Sequence, residues 1–269
     1  MMIEPGIYKD ISNEAYHGGE GVSKSVLDLI HRSPAHYRAS LVLPKRETAA
    51  LTLGTAIHAA VLEPESFEAN FVAAPDVDRR TSAGRAAWTK FQLDTAGKKI
   101  LTREQYDTAL HVRDAVYGNR MAANLLCGGT PEQSVYWTEP IDGQEVLCKC
   151  RPDYLRCDNI IVDLKTTEDA RSDQFLRSVT AYRYYVQCAW YLRGIEDVTG
   201  DTHDFMFLAV EKEPPYGIGI FTLPEDFIDA GAYSAMADLR VYARCKASDH
   251  WPCYPEEVQV LDMPRWFKG

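Results

Sequence analysis

The spacing of apolar residues changes character along this chain, and the change marks its organisation. In residues 23–31, SKSVLDLIH, the positions of Val26, Leu27 and Ile30 define one apolar side, which predicts a short helix capped by Ser23 or Ser25. Ser33 and Pro34 suit the cap and first position of a second short helix, through AHYRASL. A third helix is expected over 52–63, TLGTAIHAAVLE, stopping before Pro64 and carrying His58 in its middle. Residues 76–86, rich in Asp, Arg, Thr, Ser and Gly, predict a mobile loop leading into a helix near 83–96. Thr102 then caps a long amphipathic helix through Asn119, with Tyr106, Leu110 and Val116 near one face.

Near Glu132 the pattern turns to strands. SVYWTE, QEVLCKCRPDYLRC and NIIVDLKTT are expected to form three of them, joined by turns at Asp142-Gly143 and Asp158-Asn159. A helix follows over 173–193, with Gly194 just past its end. HDFMFLAVEK and GIGIFTL give two further strands around EPPY, and a final helix runs from Pro224 to about Lys246. This order predicts an α/β fold with a mixed central sheet flanked by helices, preceded by a helical N-terminal extension. It is expected to form a single domain of 1–269, with a mainly helical part over 1–130, a core over 131–246 and a tail over 247–269.

Composition narrows the picture modestly. The chain has 269 residues, 46% hydrophobic and 25% charged, ordinary values for a globular protein with a sizeable core. No apolar run is long enough for a membrane span, and MMIEPGIYKDIS lacks the basic and apolar regions of a secretory signal, so a cytoplasmic location is expected. The seven cysteines are scattered without paired CxxC spacing and are expected to be reduced thiols rather than zinc ligands. The net charge of −10 weighs against a protein that coats nucleic acid through its mean field. An acidic site holding a cation, with basic groups placed locally along a groove, remains compatible with it.

The chemistry concentrates in RPDYLRCDNIIVDLKTT, residues 151–167. Side chains alternate along a strand, so Asp163 and Lys165 share one face and Val162 and Leu164 the other. Asp153 lies five residues before the Asp158-Asn159 turn and Asp163 four after it, so the hairpin brings the two acids together. Two neighbouring carboxylates repel unless one is protonated or a cation lies between them. Oxygen donors of this kind suit Mg²⁺ or Mn²⁺. A lysine beside them can orient a water or stabilise charge on a phosphoryl group. A D-x-K triplet by itself more often means a solvated strand end.

RPDY…IIVDLKTT resembles the core of the PD-(D/E)xK nuclease superfamily in its D-x-K form. GTAIHAAVLEPE at 54–65 is similar to the G-x-x-x-H helix of the RecB-like branch, and QCAWY at 187–191 to its Q-x-x-x-Y helix. SKSVLDLIHRSPAHYRA resembles the opening of the RecE-type (exonuclease VIII) nuclease domains and their phage-borne relatives. The resemblance implies a restriction-endonuclease-like core. It implies that His58, Asp153 and Asp163 ligate a metal, with the Leu164 carbonyl as a further ligand, and that Lys165 is catalytic. Gln187 and Tyr191, one helical turn apart, would border the site; Glu132 would supply an outer-shell carboxylate. Ser23, Lys24 and Ser25 at a helix start, and Arg79, Arg80 and Arg85 on their loop, are candidate contacts to DNA phosphates.

The same resemblance implies a Mg²⁺-dependent exodeoxyribonuclease, with Mn²⁺ able to substitute, acting on linear duplex DNA from 5′ to 3′. It would leave 3′ single strands for a RecT-like annealing protein. A ring-shaped homo-oligomer is implied, with a tetramer favoured over a trimer. Unlike some relatives, the chain has no cysteine before Cys127, so no iron–sulfur cluster is expected. It also lacks the large N-terminal region of full-length exonuclease VIII and would be the catalytic domain standing alone. Two alternatives stay open: a flap or single-strand nuclease of a repair or CRISPR-adaptation system, and a catalytically degenerate DNA-binding module.

Overall fold

The structure, a computed structural model, describes residues 3–43 and 48–263. The chain opens with β1 (Gly6–Tyr8), α1 (Asn13–Gly18), α2 (Lys24–Arg32), α3 (Pro34–Ser40), α4 (Ala49–Leu62) and α5 (Pro64–Asn70). Next come β2 (Phe71–Ala73), α6 (Ser82–Asp94), β3 (Lys99–Leu101), α7 (Arg103–Gly118) and α8 (Arg120–Leu125). The strand-rich half holds β4 (Gly129–Pro131), β5 (Ser134–Ile141), β6 (Gln144–Cys150), β7 (Tyr154–Arg156) and β8 (Ile160–Thr167). It closes with α9 (Ser172–Ala181), α10 (Tyr184–Thr199), β9 (Asp204–Glu211), β10 (Ile218–Phe221) and α11 (Glu225–Ser248). Residues 249–263 carry no helix or strand, and the rest of the expected tail, 264–269, lies outside the described residues.

The expected helices form, with shifted ends. Thr48 caps α4 through Leu51 N–H, so this helix starts three residues earlier than expected. Pro64 stops it as expected and then serves as the first residue of α5. Ser33 caps α3, and Thr102 caps α7 in a reciprocal capping box with Gln105. Ser23 occupies the cap position of α2, but its hydroxyl meets Ser25 rather than a backbone N–H.

The central sheet is mixed, in the order β10-β9-β8-β7-β4, with β8 and β9 parallel and the other pairs antiparallel. Three departures matter for the site. The expected strand over 144–157 is two strands, because Arg151, Pro152 and Asp153 leave the ladder. β6 pairs with β5 in a separate three-stranded sheet with β1, while β7 joins the central sheet. Proline lacks the N–H that a continuous ladder needs. The expected helix over 173–193 is also two helices, broken at Tyr182 and Arg183, where Arg183 is left-handed at φ 54°. Gly194 does not end α10. It sits inside the helix against the Trp137 ring, and Gly200 at φ 75° forms the C-cap.

Alternation along β8 builds two cores. Ile161 joins Trp137, Trp190, Phe205 and Phe207 beneath α2, α10 and α11. Val162 and Leu164 join Ile57, Val61, Val112 and Leu208 against α4 and α7. The central sheet is therefore covered on both faces, as parallel pairing favours. Asp163 and Lys165 alternate with Val162 and Leu164, the orientation the sequence predicts.

Candidate metal centre

The site forms where the chain crosses from one sheet to the other. β7 pairs with β8 through Tyr154↔Val162 and Leu155↔Ile161. One step further along this register, Asp153 stands beside Asp163. Asp153 Oδ2 accepts a 2.7 Å hydrogen bond from Leu164 N–H, which ties its carboxylate to the centre of β8. From the β4 side, Glu132 N–H donates to the Asp153 carbonyl at 3.2 Å, and Glu132 itself is left-handed at φ 52°. From α4, His58 Nδ1 comes to 3.6 Å of Asp153 Oδ2. One donor atom each from His58, Glu132 and Asp153 lies within 4.8 Å of the others.

Asp163 lies alongside this cluster at 1% exposure. Its Oδ1 accepts a 2.5 Å hydrogen bond from Gln187 Nε2 on α10. The Lys165 ammonium forms an ion pair with Oδ2. The Lys165 Nζ also lies 4.8 Å from the centre of the Tyr184 ring.

Electrostatics set the protonation states. Burial, reinforced by the charges of Asp153, Glu63 and Asp163, pushes Glu132 up to about 8, against the opposing pull of Arg151. Burial raises Asp163 to about 6; Lys165 pulls it down and Asp153 pushes it up. For Lys165, burial alone would lower the pKa, but Asp163 and Asp153 outweigh it and hold the ammonium above its ordinary value. The lysine is thus a cation here, not a free base. Crowded acids with raised pKa values and an imidazole close by form a donor set that fits a divalent cation.

A cavity of about 690 Å³ opens onto this cluster. Ser23, Lys24 and Ser25 line it, as do Gln187 and Tyr191, so the structure gathers these expected residues with His58, Glu132 and Asp153. Lys24 is already engaged, through Asp28 at 2.6 Å and the Tyr182 carbonyl at 2.7 Å. The Tyr191 hydroxyl is held protonated by burial first, and by Tyr16 and Asp163 nearby. Arg79, Arg80 and Arg85 do not line this cavity. Arg79 and Arg80 border a separate depression, Arg79 lies 4.6 Å from the Trp88 ring and Arg80 pairs with Asp78. Arg85 sits in the first turn of α6, not on the loop, and donates to the Arg80 carbonyl.

The model of a PDDEXK-like domain of unknown function, DUF3799, matches residues 23–264. The chain belongs to this family. No curated protein matches it. The solved structure named "Putative exonuclease" from Eubacterium rectale is similar over 98% of this chain and 96% of its own, with a TM-score of 0.64 at 15% identity. An alkaline exonuclease from Laribacter hongkongensis aligns over 72% of this chain and 96% of its own, with a TM-score of 0.28 at 14% identity. The first likeness is one of fold, consistent with the mixed-sheet core.

Glu132, expected as an outer-shell carboxylate, has a carboxylate oxygen within 4.8 Å of donor atoms of His58 and Asp153. Its only sequence signal is its position, just before β5. The hydrogen bond that carries it to Asp153 joins residues 21 apart in the chain.

Proposed function

We propose that this chain is a divalent-metal-dependent deoxyribonuclease that hydrolyses phosphodiesters at the ends of duplex DNA. The supporting observation is the convergence of His58, Glu132 and Asp153 at one cavity, beside the Asp163–Lys165 pair, in a PDDEXK-like fold. His58, Glu132, Asp153 and Asp163 would hold Mg²⁺, or Mn²⁺ given the imidazole, with the Leu164 carbonyl as a further oxygen donor. When bound, the ion supplies an acidified water and charge neutralisation at the phosphate.

The remaining work belongs to the side chains. Lys165 presents a fixed positive charge where negative charge gathers on the phosphoryl oxygens. Gln187 holds the Asp163 carboxylate in orientation through the bond to Oδ1. Tyr191, a turn further along α10, offers a neutral hydroxyl at the cavity wall. Ser23, Lys24 and Ser25 border the cavity where a strand backbone would enter.

The finer reading is exonucleolytic digestion from 5′ to 3′, leaving a 3′ strand for an annealing protein of the RecT type, by a ring-shaped oligomer. It draws its support from the resemblance of the helix and D-x-K motifs. The test is digestion of linear duplex DNA labelled separately at the 5′ and 3′ ends, with Mg²⁺ and with a closed circle alongside. Early release of 5′ label with the circle intact is expected. Asp153→Ala and Lys165→Ala should each reduce cleavage by at least about a hundredfold, on the scale of losing a transition-state electrostatic contact. Cutting of the circle would replace the exonuclease with an endonuclease, and full activity in either variant would remove this site from the chemistry.

A further inference from the structure

A second pocket, of about 210 Å³, adjoins the end of β8, and Thr166 lines both it and the metal-centre cavity. Thr166 directly follows Lys165, so the two openings meet at the residue after the lysine. Ser178, Lys212 and Glu168 give the second pocket polar groups, and Tyr182 and Tyr184 give it aromatic ones. Tyr182 is 61% exposed. Its ring stacks on Tyr184 with centres 5.6 Å apart and planes inclined by 30°. The Tyr184 ring centre is in turn 4.8 Å from Lys165 Nζ. These two steps bring a largely exposed aromatic ring within about 10 Å of the lysine, roughly one to three nucleotides at 3.4 Å of rise per nucleotide.

The stack depends on the broken helix. Residues two apart on a continuous helix do not face each other, so Tyr182 and Tyr184 could not meet in one. Arg183, left-handed between them, reverses the chain locally and brings the rings together. A non-glycine residue in that conformation persists where its surroundings over-determine it, and such residues gather at functional sites. Here the guanidinium is held by Asp28 at 3.0 Å, Asp238 at 2.5 Å and Ser234 at 2.8 Å. The same group of contacts reaches the main cavity, since Lys24 pairs with Asp28 and donates to the Tyr182 carbonyl.

We propose that the pocket of Thr166, Ser178, Tyr182, Tyr184 and Lys212 is a subsite for a nucleotide flanking the scissile phosphodiester, its base stacked on Tyr182 and its phosphate facing Lys212. This rests on the nuclease reading above. The ring supplies sequence-tolerant stacking, which every base can accept. Lys212 brings an ammonium to the pocket, and Ser178 offers a hydroxyl. Glu168 places a carboxylate at the same pocket, which makes it a poor trap for free phosphate and favours a ligand held chiefly by its base.

The test uses the full chain and linear duplexes carrying 2-aminopurine at successive positions of the 5′ strand, with Ca²⁺ replacing Mg²⁺ to hold cleavage. Stacking on tyrosine quenches this base, so quenching is expected at one position near the cut. Tyr182→Ala should abolish it and weaken binding on the order of tenfold, whereas Tyr182→Phe should preserve both. Lys212→Ala should weaken binding and lower the salt slope by about one. Quenching that survives Tyr182→Ala, or bound DNA with no quenched position, overturns the subsite. Bound DNA with the expected quenching but no cleavage in Mg²⁺ or Mn²⁺ overturns the nuclease reading and leaves the subsite standing. Failure to bind DNA at all removes both.

Discussion

Without a metal, Glu132 is a strained acid, because burial and the nearby carboxylates of Asp153, Glu63 and Asp163 disfavour its charge. Its folded pKa of about 8 lies above the ordinary value of 4.5. The unfolded chain therefore releases this proton first as pH rises. Glu132 costs the fold nothing below about pH 4.5, costs progressively more up to about 8, and levels off above that. Asp163, raised to about 6, adds a slope of the same sign over a narrower range. The melting temperature of the metal-free protein should accordingly fall from pH 5 to pH 8. Glu132→Gln should flatten much of that fall and be the more stable protein at pH 8, while losing its response to Mn²⁺. Wild-type protein at pH 8 should be stabilised by Mn²⁺, since a cation relieves the same repulsion. Equal pH slopes for the two proteins, read by thermal unfolding, would show that Glu132 is not the strained acid.

Two glycines inside helices make opposite predictions at the level of whole elements. A Cβ on Gly194 would meet Cζ3 of the buried Trp137 at 2.4 Å, so α10 packs on β5 only because that atom is missing. Gly194→Ala should cost roughly 1–3 kcal/mol in denaturant unfolding, as overpacking does. Gly54 lies in α4 with nothing within 4 Å of its added Cβ, and it lines the main cavity one turn before His58. Gly54→Ala should stabilise the protein by about 0.5–1 kcal/mol. It should also weaken DNA binding if a strand backbone approaches there; unchanged binding would make Gly54 a tolerated flaw rather than a point of contact. The same elements show what local pattern carries. The hairpin of β7 and β8 was legible from alternation and turn residues, and with it the meeting of Asp153 and Asp163. The transfer of the chain between sheets at Pro152 was not, because strands on both sides share one period. The break at Arg183 carries no glycine or proline to announce it and depends on acids from α2 and α11. Gly194 was misplaced as a cap for the converse reason: its small size answers to Trp137, a contact that only the fold creates.

For the molecule as a whole, the difficulty is charge. At −10 the chain is repelled at long range by a polymer carrying one charge per about 1.7 Å of duplex. The cations near the cavity are largely spoken for: Lys24 by Asp28, Lys165 by Asp163, and Arg151 by Ser134 and the Ile11 carbonyl. A chain with so little mean attraction to DNA can still act on it repeatedly if several copies enclose the duplex, since enclosure replaces affinity. That arrangement predicts a specific pattern in a chase. Digestion of labelled duplex is started, and a large excess of unlabelled duplex is then added. An enclosing ring should finish the labelled molecules it holds, with a rate that changes little as salt rises after loading, although loading itself is salt-sensitive. Sedimentation of the free protein should then give a closed oligomer, four copies in preference to three. An open monomer would instead stop on the labelled DNA as soon as competitor arrived and would release it faster at higher salt. That result, with a monomer in the centrifuge, would require affinity to come from local contacts such as the Tyr182 pocket, and the ring would have to be abandoned.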